Sequence, residues 1–234
     1  MTPAALQQAM DASWPAATTA VLGPWCLRQG AGGGKRVSAA TVAAAWAETD
    51  IAAAEAAMQA KGQRPLFLIG AEDSALDTAL AARGYQLVDS VMAYAVPVDR
   101  VAQVPVFKTF AHWPPLEIAV NIWAEAGIGP ARLAIMQRAA GAKTAILSRV
   151  ADRPAGVAFV ACAGTIAMLH ALEVRPEFRR QGSAQNILAC AADWAAKNGA
   201  DRLALVVTTA NQPARALYAS QGMQVVGHYH YREK

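Results

Sequence analysis

The chain has 234 residues, 55% of them hydrophobic, and its 21 basic and 17 acidic side chains leave a net charge of +4. This length accommodates two small domains, because domains commonly have about 100 to 150 residues. The composition excludes a membrane span, since no apolar run reaches ~18 residues, and residues 1–10 lack the features of a secretory signal. The chain contains no basic tract interleaved with aromatic residues, which is the pattern that indicates nucleic-acid binding. We therefore expect a cytoplasmic protein that binds neither membranes nor nucleic acid.

The three cysteines, Cys26, Cys162 and Cys190, are odd in number, far apart and without the spacing of a metal site. We therefore expect small buried thiols rather than disulfides or zinc ligands. The chain also lacks the Gly-x-Ser-x-Gly, His-Glu-x-x-His and Walker patterns. No metal is predicted.

The first hundred residues alternate between helical and strand patterns. The predicted elements are an Ala-rich helix over 51–61, a strand over 65–69, a helix over 73–83 and a strand over 84–88. The only glycine cluster here, residues 30–34, is followed by Lys35 and Arg36. It lacks the Lys-Ser/Thr ending of a nucleotide loop, so we interpret it as the tip of a hairpin.

A longer alternation of helices and strands begins at residue 119. It comprises two short helices within 119–140, strands over 144–150, 156–163 and 166–174, a helix over 185–197, a strand over 203–207, a helix between Asn211 and Gly222, and a strand over 223–231. This order predicts an α/β fold with a mixed sheet.

The most informative segment, residues 174–184, reads Val-Arg-Pro-Glu-Phe-Arg-Arg-Gln-Gly-Ser-Ala and joins a strand to a helix. Unpaired backbone N–H groups converge at the start of a helix, where the helix dipole is positive. Gly182 allows a ligand to approach the backbone, and Arg179 and Arg180 can add charge-assisted hydrogen bonds to phosphate oxygens. The segment therefore predicts a phosphate pocket.

The pattern Arg179-x-x-Gly182-x-Ala184 resembles the pyrophosphate-binding signature of the GNAT superfamily of N-acetyltransferases. Residues 211–223 resemble the second motif of that family, Asn-x-x-Ala-x-x-Leu-Tyr followed by Gly and usually Phe. Ala184 replaces the commoner glycine and Met223 replaces the phenylalanine, and the family pattern accommodates both. The resemblance, which is firm for residues 166–231, implies a central mixed sheet flanked by helices. It also implies direct transfer of the acetyl group of acetyl-CoA, the cosubstrate, to a primary amine without a covalent enzyme intermediate.

A shift of about 138 residues aligns 65–69 with 203–207 and 84–88 with 222–226, which indicates an internal duplication. The first copy lacks the chemistry, because residues 41–46 replace the loop and Leu80 replaces Tyr218. We expect a degenerate, GNAT-like N-terminal domain over 1–102 and an acetyl-CoA-binding catalytic domain over 103–234.

The family resemblance also implies which residues bind acetyl-CoA. The strand before the loop often splays from its neighbour at a bulge, which leaves backbone groups for the pantetheine and an amide for the thioester oxygen. Asn211 is expected to bond the pantetheine, to cap its helix, or both. The implied cofactor-binding residues are Leu172, Val174, Arg179, Arg180, Gln181, Gly182, Ser183, Ala184, Asn211, Ala214 and Tyr218.

Three residues are candidates for proton transfer. By resemblance the Tyr218 hydroxyl points at the CoA sulfur and acts as general acid, since a phenol with a pKa of about 10 stays protonated at neutral pH; the alternative is a core tyrosine. The general base is His170 or Glu173. Simple alternation puts these two on opposite faces of their strand unless a bulge intervenes. His170 resembles a base of the arylalkylamine acetyltransferases, whereas Glu173 can accept a proton through water or attract a cationic amine, and each is also explained by an ordinary structural place.

The acceptor side of the site is less defined. His228 and His230 share one face of the last strand and are candidates for the acceptor pocket, while Trp113 and Trp123 fit a pocket or the core equally well. A non-catalytic acyl-CoA-binding or regulatory module, and a phosphate-binding module unrelated to CoA, are the alternative functions. The identity of the amine and the choice between monomer and homodimer stay open.

Overall fold

A computed structural model describes residues 1–101 and 107–234 of the chain. It contains a large mixed sheet with helices on both faces, as predicted. The α-helices are α1 (Pro3–Ser13), α2 (Glu48–Ala60), α3 (Ser74–Ala82), α4 (Glu117–Glu125), α5 (Pro130–Arg138), α6 (Ser183–Lys197) and α7 (Gln212–Ser220). The strands are β1 (Thr18–Leu22), β2 (Trp25–Gln29), β3 (Thr41–Val42), β4 (Leu66–Gly70), β5 (Gln86–Pro97), β6 (Thr109–His112), β7 (Lys143–Val150), β8 (Arg153–Ala163), β9 (Ile166–Val174), β10 (Arg202–Thr208) and β11 (Gln224–Glu233).

The large sheet has eight strands in the order β4-β11-β5-β10-β9-β8-β7-β6, and a small antiparallel sheet has the order β1-β2-β3. Among the described strands of the large sheet, β9 and β10 run parallel, and the other neighbours are antiparallel. Helix α6 connects β9 to β10, as a parallel pair requires a crossover. The site described below lies where this parallel pair begins to separate.

The strands of the two parts of the chain interleave. Strand β5, from the first hundred residues, lies between β10 and β11, and β11, at the end of the chain, lies between β4 and β5. Exchange of β4 with β10 and of β5 with β11 reproduces the same four-strand order in reverse. Both parts therefore contribute to one continuous sheet.

Helix α6 covers one face of the sheet, where its apolar residues Ile187, Leu188 and Ala191 join a buried cluster. Helices α1 and α4 pack on the other face against β8 and β9. This second face also receives Trp14, which follows α1, and Phe159 of β8, whose rings lie 6.1 Å apart. His170 of β9 also lies on this face, with its ring 4.9 Å from that of Trp14.

The predicted order from residue 119 to the end is confirmed. The structure adds β6, a short edge strand, and starts α6 at Ser183 instead of residue 185, because its first turn extends into the Gly-Ser-Ala sequence. The boundary proposed between residues 102 and 103 falls on residues outside the described ranges.

Two expectations from composition can be compared with the described residues. Within those residues, none of the helices combines the length and the apolarity that crossing a membrane requires. All three cysteines are free thiols, although Cys26 and Cys162 are only half-buried, whereas Cys190 is buried.

Candidate active site

A bulge interrupts β9 immediately before the loop of residues 174–184. Val157 of β8 pairs with Glu173, and Phe159 pairs with His170, so two residues of β9 face the single residue between their partners. Ala171 takes a left-handed φ of 50°, which is unusual for alanine and typical of a bulge. The Trp123 indole N–H donates to the Ala171 carbonyl at 2.8 Å and holds the bulge in place.

The bulge decides which side chains share a face. Val157 and Phe159 lie on the same face of β8, and directly paired residues of antiparallel strands project to the same side. His170 and Glu173 therefore project to one face of β9, although uninterrupted alternation puts them on opposite faces. Both line the same cavity.

Beyond the bulge, β9 separates from β10. Their pairing runs from Ile166 to Leu169 and stops there. The Arg175 N–H donates to the Ala155 carbonyl on the β8 side at 2.9 Å. Because neighbouring peptide groups of a strand point in opposite directions, the backbone groups of Val174 face the β10 side. A cleft is thus left between the two strands, as the family resemblance predicts.

The loop after β9 forms an open helix N-terminus. Gly182 is the N-cap of α6 with a left-handed φ of 82°, and Arg180 also has a positive φ, of 62°. The N–H of Asn186 makes the first bond of the helix, to the Gly182 carbonyl at 2.9 Å. The amides of residues 183–185 precede this bond, no side chain caps them, and the first turn carries no acidic residue. This geometry suits a phosphate group.

The side chains of the loop mostly hold its shape. The Ser183 hydroxyl points inward and lies 2.5 Å from that of Ser148, so Ser183 can contact a ligand only through its amide. Arg179 donates from Nε to the Val174 carbonyl at 3.2 Å, and Gln181 donates to the Glu177 carbonyl at 2.8 Å. Apart from Phe178 and Ser183, the loop residues, including Arg180, are exposed or half-buried. The amides, rather than the side chains, present the more regular anion site.

The second motif contributes α7 and its cap. The Asn211 side chain accepts a hydrogen bond from the Ala214 N–H at 3.2 Å, so Asn211 caps the helix while it also lines the cavity. Half-buried Ala214 packs against the core on the other side of α7. The Tyr218 ring is buried 5.8 Å from the Tyr94 ring, and its residue lines the cavity as well. Burial, with a smaller contribution from the Glu173 carboxylate, raises the pKa of Tyr218 to about 12. Tyr218 therefore holds its proton at neutral pH.

A cavity of about 520 Å³ lies beside the cleft between β9 and β10, and Leu172, Glu173, Asn211 and Tyr218 line it. The loop of residues 174–184 does not border this cavity. Its lining also includes residues that were not site candidates in the sequence: Trp14, Arg36, Asp89, Arg132, Tyr229 and Tyr231. Trp14, Arg36 and Asp89 belong to the first hundred residues, so both parts of the chain contribute to the cavity.

His170 is held on both sides of its ring. Its Nδ1 lies 3.1 Å from an Arg36 guanidinium nitrogen, and its Nε2 lies 2.9 Å from the Ser13 hydroxyl, which donates to the Ala9 carbonyl at 2.6 Å. Because the guanidinium can only donate, Nδ1 is the acceptor and Nε2 carries the proton, an assignment made from this network. Burial and the Arg36 charge hold the pKa of His170 well below its ordinary value. The ring is neutral, and neither nitrogen has a lone pair directed at the cavity.

Glu173 differs from His170 in its burial and in its hydrogen bonding. It is half-buried on the cavity wall, and within the described part of the chain it makes no hydrogen bond through its carboxylate. Burial raises the pKa of Glu173, and the positive charges of Arg179 and Arg132 partly oppose this shift. A carboxylate with a raised pKa and a free lone pair is suited to accept a proton.

The structure can be compared with the expectations for two histidines and two tryptophans near the acceptor, and the expectation for the histidines is wrong. Tyr229 and Tyr231 line the cavity, whereas His228 and His230 project from the other face of β11. His230 instead lies 2.7 Å from an Asp77 carboxylate oxygen. The predicted alternation of histidines and tyrosines on β11 is correct, but the face that borders the cavity carries the tyrosines instead of the histidines. Trp123 is a core residue with 0% exposure, and half-buried Trp113 packs against Phe159.

The glycine cluster was interpreted as a hairpin tip, but it brings a side chain into the cavity. A Cβ at Gly33 would overlap Ile135 of α5, so the glycine lets the loop approach that helix closely. Lys35 fixes the loop to β5 through an ion pair with Asp89 at 2.7 Å. Between these anchors and buried Val37, Arg36 reaches the cavity. The lysine and arginine after the glycines were the available signal.

No group of three or more histidine, cysteine, aspartate or glutamate residues within ranges 1–101 and 107–234 is arranged to hold a metal ion. The charged side chains that line the cavity are Lys35, Arg36, Asp89, Arg132 and Glu173.

Comparison with known proteins identifies the class of enzyme and the family. Residues 111–223 match the family model described as the acetyltransferase (GNAT) family. The uncharacterized N-acetyltransferase YobR of Bacillus subtilis is 26% identical over 240 residues, which cover 98% of this chain and 97% of that protein. The chain therefore contains an acetyltransferase domain of the GNAT family, and the protein is an acyltransferase.

Solved structures agree with this fold. A GCN5-related N-acetyltransferase from Kribbella flavida superposes with a TM-score of 0.76 at 19% identity, covering 99% of this chain and 95% of that one. A protein described as a tandem GNAT protein from the clavulanic acid biosynthesis pathway has a TM-score of 0.65 at 14% identity, covering 90% of this chain and 77% of that one. At these identities the likeness establishes the fold alone.

Proposed function

We propose that this enzyme transfers the acetyl group of acetyl-CoA directly to a primary amine. The observation that carries the proposal is the combination of an uncapped helix N-terminus after β9, a cleft between β9 and β10, and a buried tyrosine that lines the cavity beside this cleft. The amides after Gly182 fit a pyrophosphate, and the backbone of residues 172–174 fits the pantetheine amides. Acetyl-CoA would supply the activated acetyl group.

Each proton-transfer task has one candidate in the site. Glu173 is the general base, acting directly or through water, because its carboxylate faces the cavity without a hydrogen-bond donor among the described residues. An amide of residues 172–174 stabilises the negative charge that develops on the acetyl oxygen. Tyr218 is the general acid for the departing sulfur, since its raised pKa of about 12 keeps the proton available.

His170 is proposed as a positioning residue instead of the base. Its two hydrogen bonds connect α1 to Arg36 through the buried strand β9. The lowered pKa keeps the His170 ring neutral, as a base must be. Both ring nitrogens already take part in hydrogen bonds, however, so neither is available to a substrate amine. His170 therefore orients Arg36 and the wall of the cavity.

We also propose that the chain is a tandem of two GNAT-like units, with residues 1–102 degenerate and 103–234 catalytic. The interleaved order β4-β11-β5-β10 supports this division, since it has the symmetry expected of two copies that exchange their last strands. The first unit then has a use despite its lost chemistry, because it supplies one wall of the cavity.

Two measurements test the proposed activity. Calorimetric titration with acetyl-CoA, and separately with pantetheine that lacks the phosphates, should show micromolar binding of the first and loss of affinity with the second. Initial rates of thiol release with an amine panel should give intersecting double-reciprocal lines, as direct transfer within a ternary complex requires. Parallel lines would indicate a covalent enzyme intermediate, and tight binding without turnover of any amine would indicate a non-catalytic acyl-CoA-binding module.

A further inference from the structure

Arg36 is a half-buried cation that has no carboxylate partner among the described residues. Its Nε is inaccessible to solvent and finds no hydrogen-bond acceptor within the described residues. One terminal nitrogen lies 3.1 Å from His170 Nδ1, which is a neutral acceptor. Among residues 1–101 and 107–234, no acidic side chain lies within ion-pair distance of its guanidinium, since nearby Asp89 is engaged by Lys35 at 2.7 Å.

This arrangement is costly unless something else pairs with the charge. A guanidinium stays ionised at any physiological pH, and an ionised group removed from water is strongly destabilising without a compensating partner. Charged side chains are rarely buried unpaired, so the missing partner is expected to come from a ligand. The cavity beside Arg36 provides the space for it.

The surroundings select an anion beside Arg36. Arg132 lines the same space, and its guanidinium lies 3.9 Å from the position that a Cβ on Gly34 would occupy. The nearest wall is otherwise aromatic, with Trp14 ring against the His170 ring at 4.9 Å, and Tyr229 and Tyr231 of β11. Among the residues that the structure describes, the acidic groups that border the cavity are Asp89, which is paired, and Glu173.

Arg36 and Glu173 lie at two points along the same wall. Arg36 contacts His170, and Glu173 is three residues further along β9, roughly 10 Å of extended chain at most. An amine placed by Glu173 therefore has a cation within the reach of a small molecule. This is the charge pattern that complements a molecule with an ammonium group and a carboxylate.

We propose that the acceptor is a small amine that also carries a carboxylate, such as a free amino acid, with the carboxylate bound by Arg36. The assignment rests on the proposed acetyl transfer and specifies its substrate. Arg36 donates a charge-assisted hydrogen bond to the carboxylate, and Glu173 receives the proton of the amine. The first part of the chain thereby binds the carboxylate of the substrate, while the second part carries out the transfer.

The test uses matched acceptors that differ only in the carboxylate. Each standard amino acid that is acetylated is compared with its amide and with the corresponding decarboxylated amine, such as phenylalanine, phenylalaninamide and phenethylamine. At saturating acetyl-CoA, wild-type enzyme should show kcat/KM at least about 10-fold higher for the free acid. A preference for the neutral analogues, or acetylation of amines without any acetylation of amino acids, would overturn the inference.

Substitution of the arginine separates recognition from structure. Arg36→Gln should lower kcat/KM for the free acid by about 10- to 100-fold, mainly through KM, and should change the value for the amide by less than about 3-fold. Arg36→Lys should restore part of the preference, because it keeps the charge without the fork of donors. Arg64→Gln, which removes the same charge from a side chain that is 83% exposed, is the matched control and should have no effect.

The outcomes distinguish the inference from the activity on which it rests. Equal losses for acid and amide in Arg36→Gln, with unchanged acetyl-CoA affinity by calorimetry, would give Arg36 a structural role only and overturn the inference alone. Absence of acetyl-CoA binding and of turnover with every amine would overturn the proposed function, and the inference with it.

Discussion

Helices α2 and α6 occupy equivalent places in the two parts of the chain, yet their N-termini have opposite character. Each precedes a strand, β4 or β10, that is followed by a second helix and a strand that crosses to the other part. The first turn of α2 carries Glu48 and Asp50, and Asp50 accepts the Ala47 N–H at 2.8 Å. The first turn of α6 carries no acid and follows Gly182. An anion site therefore needs the open turn and the absence of carboxylates, and topology alone does not provide either.

The next helices differ in a similar way. Leu80 of α3 has 0% exposure in a hydrophobic cluster, whereas Tyr218 of α7 lines the cavity. In one part the position completes a core, and in the other it places a hydroxyl-bearing side chain at the cavity.

The largest effect is expected when the N-terminus of α6 receives an acidic residue like those at the N-terminus of α2. Gly182→Glu should reduce acetyl-CoA affinity by about 100-fold or more, because the carboxylate repels phosphate and the left-handed φ of 82° costs about 1–2 kcal/mol for a residue with a Cβ. Calorimetric titration measures the loss. Gly199→Glu is the control, since Gly199 has the same φ of 82° beyond the other end of the same helix and is exposed. Normal affinity in Gly182→Glu would contradict the pocket assignment.

Substitution of Tyr218 tests the second difference, that between Leu80 of α3 and Tyr218 of α7. Tyr218→Phe should lower kcat by about 10² or more while acetyl-CoA affinity stays almost unchanged, because only the proton donor is removed. Tyr94→Phe removes the hydroxyl of the neighbouring ring, 5.8 Å away, and should leave kcat within about 3-fold of wild type. Steady-state rates and calorimetry on both variants give the comparison, and equal rates for the two would remove Tyr218 from the mechanism.

The two candidates for the base predict different pH profiles. Glu173 must lose its proton to act, so kcat/KM should rise with pH through the raised pKa of this carboxyl, and Glu173→Gln should lower the plateau by about 10² and abolish that rise. At neutral pH the His170 ring is already neutral, because burial and the Arg36 charge hold its pKa well below the ordinary value of 6.5. His170→Gln should therefore leave the shape of the profile above neutral pH unchanged, apart from the titration of the acceptor amine itself. A profile flattened only by His170→Gln would reverse the assignment.

The smallest effect is expected at a contact that joins the two parts. Asp77 of α3 accepts hydrogen bonds from Arg232 at 2.6 Å and lies 2.7 Å from His230, both on β11. The bond from Arg232, opposed by burial and assisted by His230, lowers the pKa of Asp77 to about 2. The resulting stability is present above the ordinary pKa of 3.8 and is lost as the pH falls towards about 2.

Asp77→Asn should lower the free energy of unfolding at neutral pH by about 1 kcal/mol and weaken its dependence on pH between about 4 and 2. Urea unfolding at neutral pH and thermal unfolding over the acidic range measure both effects. Asp201→Asn, at a side chain that is 68% exposed, should change neither. Identical acid sensitivity of Asp77→Asn and wild type would show that this contact does not couple the two parts.

The cofactor side of the site was predictable because its signals are local. A glycine at a left-handed helix cap, an asparagine before a helix and a tyrosine two turns later all depend on short-range backbone geometry, and the structure places Gly182, Asn211 and Tyr218 as these patterns predict. The assignment of their roles remains a prediction. The general base was not resolved from the sequence, because the bulge at Ala171 changes the face of every residue that follows it.

By itself, the sequence determined the order of helices and strands, the helix that begins after Gly182 and the place of Tyr218 on the last helix, since periodicity and caps act over a few residues. Only the tertiary structure decided that β5 and β11 change places, that Tyr229 and Tyr231 rather than the histidines face the cavity, and that Arg36 reaches His170 from a loop 134 positions earlier in the chain. Contacts between residues so far apart depend on packing of the whole chain, and a guanidinium in a glycine-rich loop has no local feature that distinguishes a solvated charge from a half-buried one.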